Sequence, residues 1–266
     1  MMDTFEFSLG MDWCKGKCLR YCPQEIIIGK YKGEKYLSLE NHKKILNAVP
    51  KSTVIIYAGY MEPFQHPDAV EMMLYTHEMG YKQRLYTSLI DCNMEKARKV
   101  CEIPFQWVEL HLPDASNNLH VIDEEEHARV LMYFLRHVHT VKTMRMDGVP
   151  EHGGFQTNNT ENMCRHPEQI SQKNGRLICP RLKRSEYVCL PNGDVFFCCM
   201  VRGQTAKVGN IFEESYSKLR DKFPSMSIKM QKSEDSVCRI CDDSYSYYKD
   251  FLIEGKEKIF GKRKLL

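Results

Sequence analysis

Apolar and polar positions in the first half of the chain fall into two rhythms that take turns. Thr4-Phe-Glu-Phe-Ser-Leu-Gly10 alternates over a few positions and predicts a short strand. Ser38 then N-caps a helix over Leu39–Leu46, where Leu39, Ile45 and Leu46 recur near helical spacing. Thr53-Val-Ile-Ile-Tyr-Ala58 is a continuous apolar, β-branched run stopped by Gly59, the pattern of a strand covered on both faces. Residues 68–78 read as a helix closed by Gly80, residues 84–88 as a third strand and residues 93–101 as a short helix. Gln106–Leu112 is a fourth strand, Asp123–Glu126 opens a helix with a capping-box arrangement, and Val141–Met146 is a fifth strand. Such repetition implies an α/β fold with a parallel sheet, here a partial (β/α)6-type barrel, with working residues at the C-terminal ends of its strands.

After Gly148 the rhythm stops. Gly153-Gly154 and Thr157-Asn-Asn-Thr160 read as linker, which places a boundary near residue 150, with 1–150 as the larger unit and 151–266 as a small cysteine-rich one. In the second unit, residues 185–190 and 194–199 flank Pro191-Asn-Gly193 and predict a β-hairpin. A helix over 213–223 and the Cys238-Arg-Ile-Cys241 knuckle complete it, and no function is assigned to the basic end, Gly255–Leu266.

Composition narrows the function classes. The 38 basic and 35 acidic residues give a net charge of +3, which does not mark a nucleic-acid binder. Twelve cysteines in a small secreted domain would suggest disulfides, but Met-Met-Asp-Thr-Phe-Glu-Phe is neither basic nor apolar enough for a signal peptide, so the reducing cytoplasm is expected. No apolar run reaches the ~18 residues of a membrane span.

The cysteines carry the chemistry. Cys14, Cys18 and Cys22 follow the first strand at four-residue intervals, and three thiolates so close together call for a metal centre. A structural zinc site or a fully protein-ligated iron–sulfur cluster takes four protein ligands, so a set of three leaves one metal position for a substrate or cofactor. A second set comprises Cys179, Cys189, Cys198, Cys199, Cys238 and Cys241. Zinc is the alternative for both sets, and spacing alone does not exclude it in the second. On alternating strand geometry Cys198 and Cys199 point to opposite faces, so one of the two is expected as a ligand. Cys92, Cys101 and Cys164 read as ordinary thiols, and His42, His127 and His137 as structural or solvated.

The chain resembles the radical S-adenosylmethionine enzymes with a C-terminal twitch domain, the shortened form of the SPASM extension, and in particular their 2-deoxy-scyllo-inosamine dehydrogenases. The cysteine loop has the family's position after the first strand and its aromatic before the last cysteine, Tyr21, but one residue more between the second and third cysteines. Ala58-Gly59-Tyr60-Met61-Glu62-Pro63 resembles the family's Gly-Gly-Glu-Pro segment, with Met61 in place of one glycine, and Tyr86-Thr87-Ser88 resembles its Thr-Asn-Gly. Cys179, Gly193, Cys198, Cys238 and Cys241 follow the spacing of a one-cluster twitch domain, and no further cysteine follows Cys241.

The resemblance implies two [4Fe–4S] clusters, the first held by Cys14, Cys18 and Cys22 with S-adenosylmethionine on its open iron, the second by Cys179, Cys198, Cys238 and Cys241. It implies cofactor contacts from Tyr21, Gly59, Glu62, Thr87, Ser88 and Glu109, with Glu62 on the methionine amino group. The activity implied is oxidation of a secondary alcohol of a small sugar- or cyclitol-like substrate through a 5′-deoxyadenosyl radical, fed by an electron donor such as flavodoxin or ferredoxin. Glu109, His111, Arg145 and Asp147 lie at the ends of the fourth and fifth strands, and His111 and Arg145 are the candidates to take the hydroxyl proton. Alternatives are radical modification of a peptide or protein, weakened by the missing second auxiliary set and by the absence of a recognisable N-terminal peptide-binding domain, and a non-enzymatic zinc-binding protein.

Overall fold

The computed structural model describes residues 3–16, 22, 24–113, 119–145, 172–179, 185–199, 206–233, 237–241 and 244–246. Five strands of the first half are parallel: β1 (Thr4–Ser8), β2 (Val54–Ala58), β3 (Gln83–Thr87), β4 (Trp107–Leu112) and β5 (Val141–Arg145). A further strand, β7 (Glu186–Cys189), pairs parallel with the other side of β1, and β8 (Asp194–Phe196) and β9 (Lys207–Asn210) follow it antiparallel. The result is one open eight-stranded sheet in the order β5-β4-β3-β2-β1-β7-β8-β9. Its six parallel strands make the expected partial barrel, and the hairpin expected beyond residue 150 extends the same sheet. The expected boundary itself falls outside the described residues.

Helices α2 (Leu39–Ala48), α3 (Ala69–Glu78), α4 (Met94–Val100) and α5 (Glu124–His137) follow successive strands. They bury Ile45, Leu46, Met72, Ala97, Val130 and Phe134 against Phe5, Phe7, Tyr57, Leu85 and Val108 of the sheet. Because strand side chains alternate, the opposite face of the same strands carries Glu6, Arg84, Tyr86, Glu109 and His111. One face is therefore an apolar core and the other a polar, half-buried surface.

Local chemistry sets the helix starts. Ser38, Asn93 and Asp123 each accept a backbone N–H three residues on. The capping box is half made: Asp123 caps Glu126, whose carboxylate turns instead to the Met94 N–H at 3.0 Å and to Arg129. The helix expected over 213–223 runs longer, as α6 (Tyr216–Lys232), and contains Pro224. Proline removes one helical hydrogen bond. Burial of Leu219, Phe223, Ser227 and Met230 on one side carries the helix past it. A seven-residue helix, α1 (Gln24–Lys30), follows the cysteine loop where no element was expected, and two short strands, β6 (Leu177–Ile178) and β10 (Tyr245–Ser246), pair antiparallel.

Tyr57 and His42 join the core in a polar chain: His42 Nε2 lies 2.9 Å from the Tyr57 hydroxyl, which lies 2.7 Å from Thr76 Oγ1. Burial pulls the His42 imidazole from 6.5 down to about 3, helped by the charges of His66 and Lys43. The unfolded chain thus binds a proton that the folded chain refuses, and stability falls as pH drops from about 6.5 towards about 3. Between pH 7 and 5 the wild type is expected to lose about 2 kcal/mol more than His42→Gln, read from urea unfolding at the two pH values.

Candidate functional site

The first cysteine loop lies where β1 and β2 end, and β2 ends in a turn that only glycine allows. Gly59 has φ +111°, and a Cβ there would sit 2.5 Å from Ser8 Oγ. That hydroxyl accepts the Tyr60 N–H at 3.1 Å and so ties the two strand ends together. Met61, standing where the family has glycine, is buried over Gly10; a Cβ on Gly10 would lie 2.3 Å from its methyl carbon. Gly10 is therefore required where Met61 packs, since any larger residue there would collide with its side chain.

Glu62 follows, and its carboxylate is buried. Oε2 accepts the Ser88 N–H at 2.8 Å and the Ser88 hydroxyl at 2.6 Å; Oε1 accepts the Thr87 hydroxyl and, more weakly, the Phe64 N–H at 3.4 Å. Burial raises its pKa, and these hydrogen bonds offset part of the rise. Among the described residues no ion pair reaches it. His127 of α5, expected to be structural or solvated, holds Ser88 from behind through its carbonyl at 2.8 Å. Leu89, next along, is buried with φ +62°, an unusual conformation for a non-glycine residue, and gives its N–H to Thr87 Oγ1.

The Cys14 sulfur accepts the Glu62 and Gly16 N–H groups and feels the charges of Glu62 and Cys22. Burial pushes its thiol up to about 11, the Glu62 charge adds to this, the Glu62 and Gly16 N–H groups lower it, and Cys22 raises it again. Two convergent thiols with backbone N–H groups aimed at sulfur suit an iron–sulfur cluster, whose sulfurs accept such bonds. A buried carboxylate that no ion pair reaches among the described residues suits an ammonium-bearing ligand. Cys18 and Tyr21 lie outside the described residues.

On the polar face, Tyr86 and Glu109 are register partners, and Glu109 Oε1 is 3.8 Å from His111 Nε2. Burial, with the Glu109 charge, pushes the Tyr86 phenol up to about 12. Arg84 stacks 3.6 Å above Trp107. Arg84 and Trp107 were not singled out from the sequence, although strand parity with Glu109 would have found them. Glu109, expected at the cofactor, joins Tyr86 and His111 and does not bond to the Glu62 group. Arg145 pairs in register with Leu112, and its side chain and Asp147 lie outside the described residues.

The second cysteine set gathers at the far end of β1. Cys198 and Cys199 pack against buried Cys241, and the sulfurs of Cys198 and Cys199 and a Glu186 carboxylate oxygen lie within 4.8 Å of one another. The expectation that the two adjacent cysteines face opposite ways fails because β8 stops at Phe196, so strand alternation no longer governs them. Cys179 directly follows β6, whose partner β10 is preceded by Ser244; the Ser244 hydroxyl bonds the Cys238 and Cys241 carbonyls. Arg239 binds the Lys173 and Gly175 carbonyls and clamps the knuckle to this ribbon. Cys189 is fully buried in the main core, away from this group. Thr4 pairs with Glu186 at the start of β1, and Cys14 follows its end, so the two sets are attached at opposite ends of a strand about 13 Å long.

Residues 179–242 match the family model of the SPASM iron–sulfur cluster-binding domain. The chain shares its fold with the crystal structure of BtrN in complex with AdoMet and 2-DOIA, at 15% identity and TM-score 0.62, over 93% of this chain and 94% of that one. It is also similar to Streptococcus suis SuiB bound to precursor peptide SuiA, at 13% identity and TM-score 0.53, over 95% of this chain and 73% of that one. A third similar fold is native anSMEcpe with bound AdoMet, at 13% identity and TM-score 0.54, over 90% of this chain and 86% of that one. No curated protein matches in sequence. No helix among the described residues is long and apolar enough to cross a membrane.

Replacing Glu62 by Gln turns an acceptor into a donor facing Ser88 or Thr87. Unfolding of the metal-free protein in urea should show a loss of roughly 1–3 kcal/mol, against no more than about 0.5 kcal/mol for the exposed Glu95→Gln.

Proposed function

We propose that the chain is a radical S-adenosylmethionine enzyme that dehydrogenates a secondary alcohol of a small, polar, sugar- or cyclitol-like molecule. The observation that carries this reading is the buried carboxylate of Glu62, which no ion pair reaches among the described residues, on the residue whose N–H bonds the Cys14 sulfur. In this reading Cys14, Cys18 and Cys22 hold a [4Fe–4S] cluster and Glu62 receives the methionine ammonium, admitted by rotation of the Thr87 or Ser88 hydroxyl. Cys179, Cys198, Cys238 and Cys241 hold the auxiliary cluster, and the electron donor is a flavodoxin or ferredoxin.

When bound and reduced, the group held by Cys14, Cys18 and Cys22 would supply hydrogen-atom abstraction at the carbinol carbon, and the group held by Cys179, Cys198, Cys238 and Cys241 would supply an acceptor for the remaining electron. The protein's own part is to place the substrate on the polar face between the two sets and to accept the hydroxyl proton. His111 Nε2 is suited to this: it is buried, lacks a hydrogen-bond partner among the described residues, and has Glu109 at 3.8 Å to balance the added charge. Hydrogen atom, proton and electron together leave a ketone. Peptide modification is the second reading; the structure of SuiB with a precursor peptide favours it, but this chain covers 73% of SuiB against 94% of BtrN.

Anaerobic reconstitution should load about eight irons per chain, counted by metal analysis; about four would remove the auxiliary cluster, and zinc in place of iron would end the radical reading. Cys18→Ala should abolish 5′-deoxyadenosine formation with dithionite and S-adenosylmethionine, and persistent formation would place the cluster elsewhere. With the right alcohol, one 5′-deoxyadenosine should appear per ketone.

A further inference from the structure

The cysteine loop has a brace that the motif does not contain. Gln24, two residues after Cys22 and 7% exposed, turns its carboxamide back under the loop. Its Oε1 accepts the Cys14 N–H at 2.9 Å, and its Nε2 donates to the Asp12 carbonyl at 2.9 Å and to the Tyr60 carbonyl at 2.7 Å. One side chain thus joins the chain entering the loop, the chain leaving it, and the turn that carries Glu62.

Each of these segments is itself fixed. Asp12 is held by Lys35 at 2.7 Å and by the Tyr36 hydroxyl at 2.8 Å. Tyr60 is held through Ser8. Gln24 rides on α1, which is anchored by fully buried Ile27 against Met11, Tyr60, Val188, Leu190 and Phe196. A carboxamide buried at such a junction is costly unless its polar atoms are bonded, and here both donors and one acceptor position are used on backbone groups. The loop is one residue longer than the family's, and a longer loop closes at greater entropic cost and with more freedom. A tie across its two ends removes that freedom where Cys14 must meet Glu62.

We propose that Gln24 is a positioning residue that sets the Cys14–Cys22 loop against the Glu62 turn, so that the cluster's open iron and the carboxylate grip one cofactor together. This rests on the radical reading above. The geometry also ranks it above Gln65, which lies on the loop's outer flank and binds Lys15 N–H at 2.9 Å and the Trp13 carbonyl at 2.6 Å without reaching Cys14 or Tyr60.

The test uses reconstituted full-length protein and two readouts: S-adenosylmethionine affinity by equilibrium dialysis, and the change this ligand causes in the electron paramagnetic resonance spectrum of the reduced first cluster. Gln24→Met, which keeps the shape but none of the three bonds, and Gln24→Glu, which sets an oxygen against two carbonyls, should each weaken binding at least tenfold and diminish the spectral change. Gln65→Ala should stay within threefold of wild type. Binding within twofold of wild type and an unaltered spectral change in Gln24→Met would overturn the proposal, as would an equal loss in Gln65→Ala. Cys14→Ala separates the two levels: if it retains the spectral change, the radical reading fails; if it loses the change while Gln24→Met keeps it, the role of Gln24 alone fails.

Discussion

The structure around the first cysteine set depends on one buried carboxyl group. Glu62 stands at the end of β2 with four donors converging on its two oxygens, three of them from the end of β3. A carboxylate in that position needs every one of those partners, and their positions explain the residues behind them. Gly59 lets the turn form, Ser8 locks it to β1, His127 holds Ser88 from α5, and Leu89 accepts an unfavourable backbone angle so that Thr87 can face the carboxylate. Energy spent on an unusual conformation is found beside the residue with the most demanding environment.

The second cysteine set is built differently. Its members come from three separated stretches, and backbone rather than side-chain charge brings them together: the β6–β10 ribbon, the Ser244 bonds to two cysteine carbonyls, and the Arg239 clamp. Strand β1 links the two sets because it pairs with β2 on one side and β7 on the other. Between them lies the face carrying Glu6, Tyr86, Glu109 and His111, polar where the reverse of the same strands is apolar. A single sheet thereby separates an apolar core from a face that carries these polar side chains.

The fold was legible where periodicity is strong. All five early strands and their four following helices lie within a few residues of the positions that apolar spacing predicts, because each buries one face on the same core. The helix expected over 213–223 runs on through Pro224 because Phe223 and Met230 are buried on one side of it. Cys198 and Cys199 misled because the strand ends two residues before Cys198, and boundaries depend on hydrogen bonds that no pattern displays. Glu62, Thr87 and Ser88 could be read from short motifs. Gln24 could not, since its three partners are backbone groups, and backbone groups leave no mark in a sequence.

The pairing of β1 with β7 also has a consequence for how the molecule is made. β1 carries Phe5 and Phe7 and is synthesised well before β7, so one of its edges stays without its partner until Glu186–Cys189 arrives. Synthesis between the two takes roughly 10–40 s at ordinary elongation rates. An apolar strand with a bare edge is an invitation to pair with the wrong chain. The nascent protein is therefore open to wrong pairing while its first cysteine loop is already complete, and slow growth at low temperature would protect it.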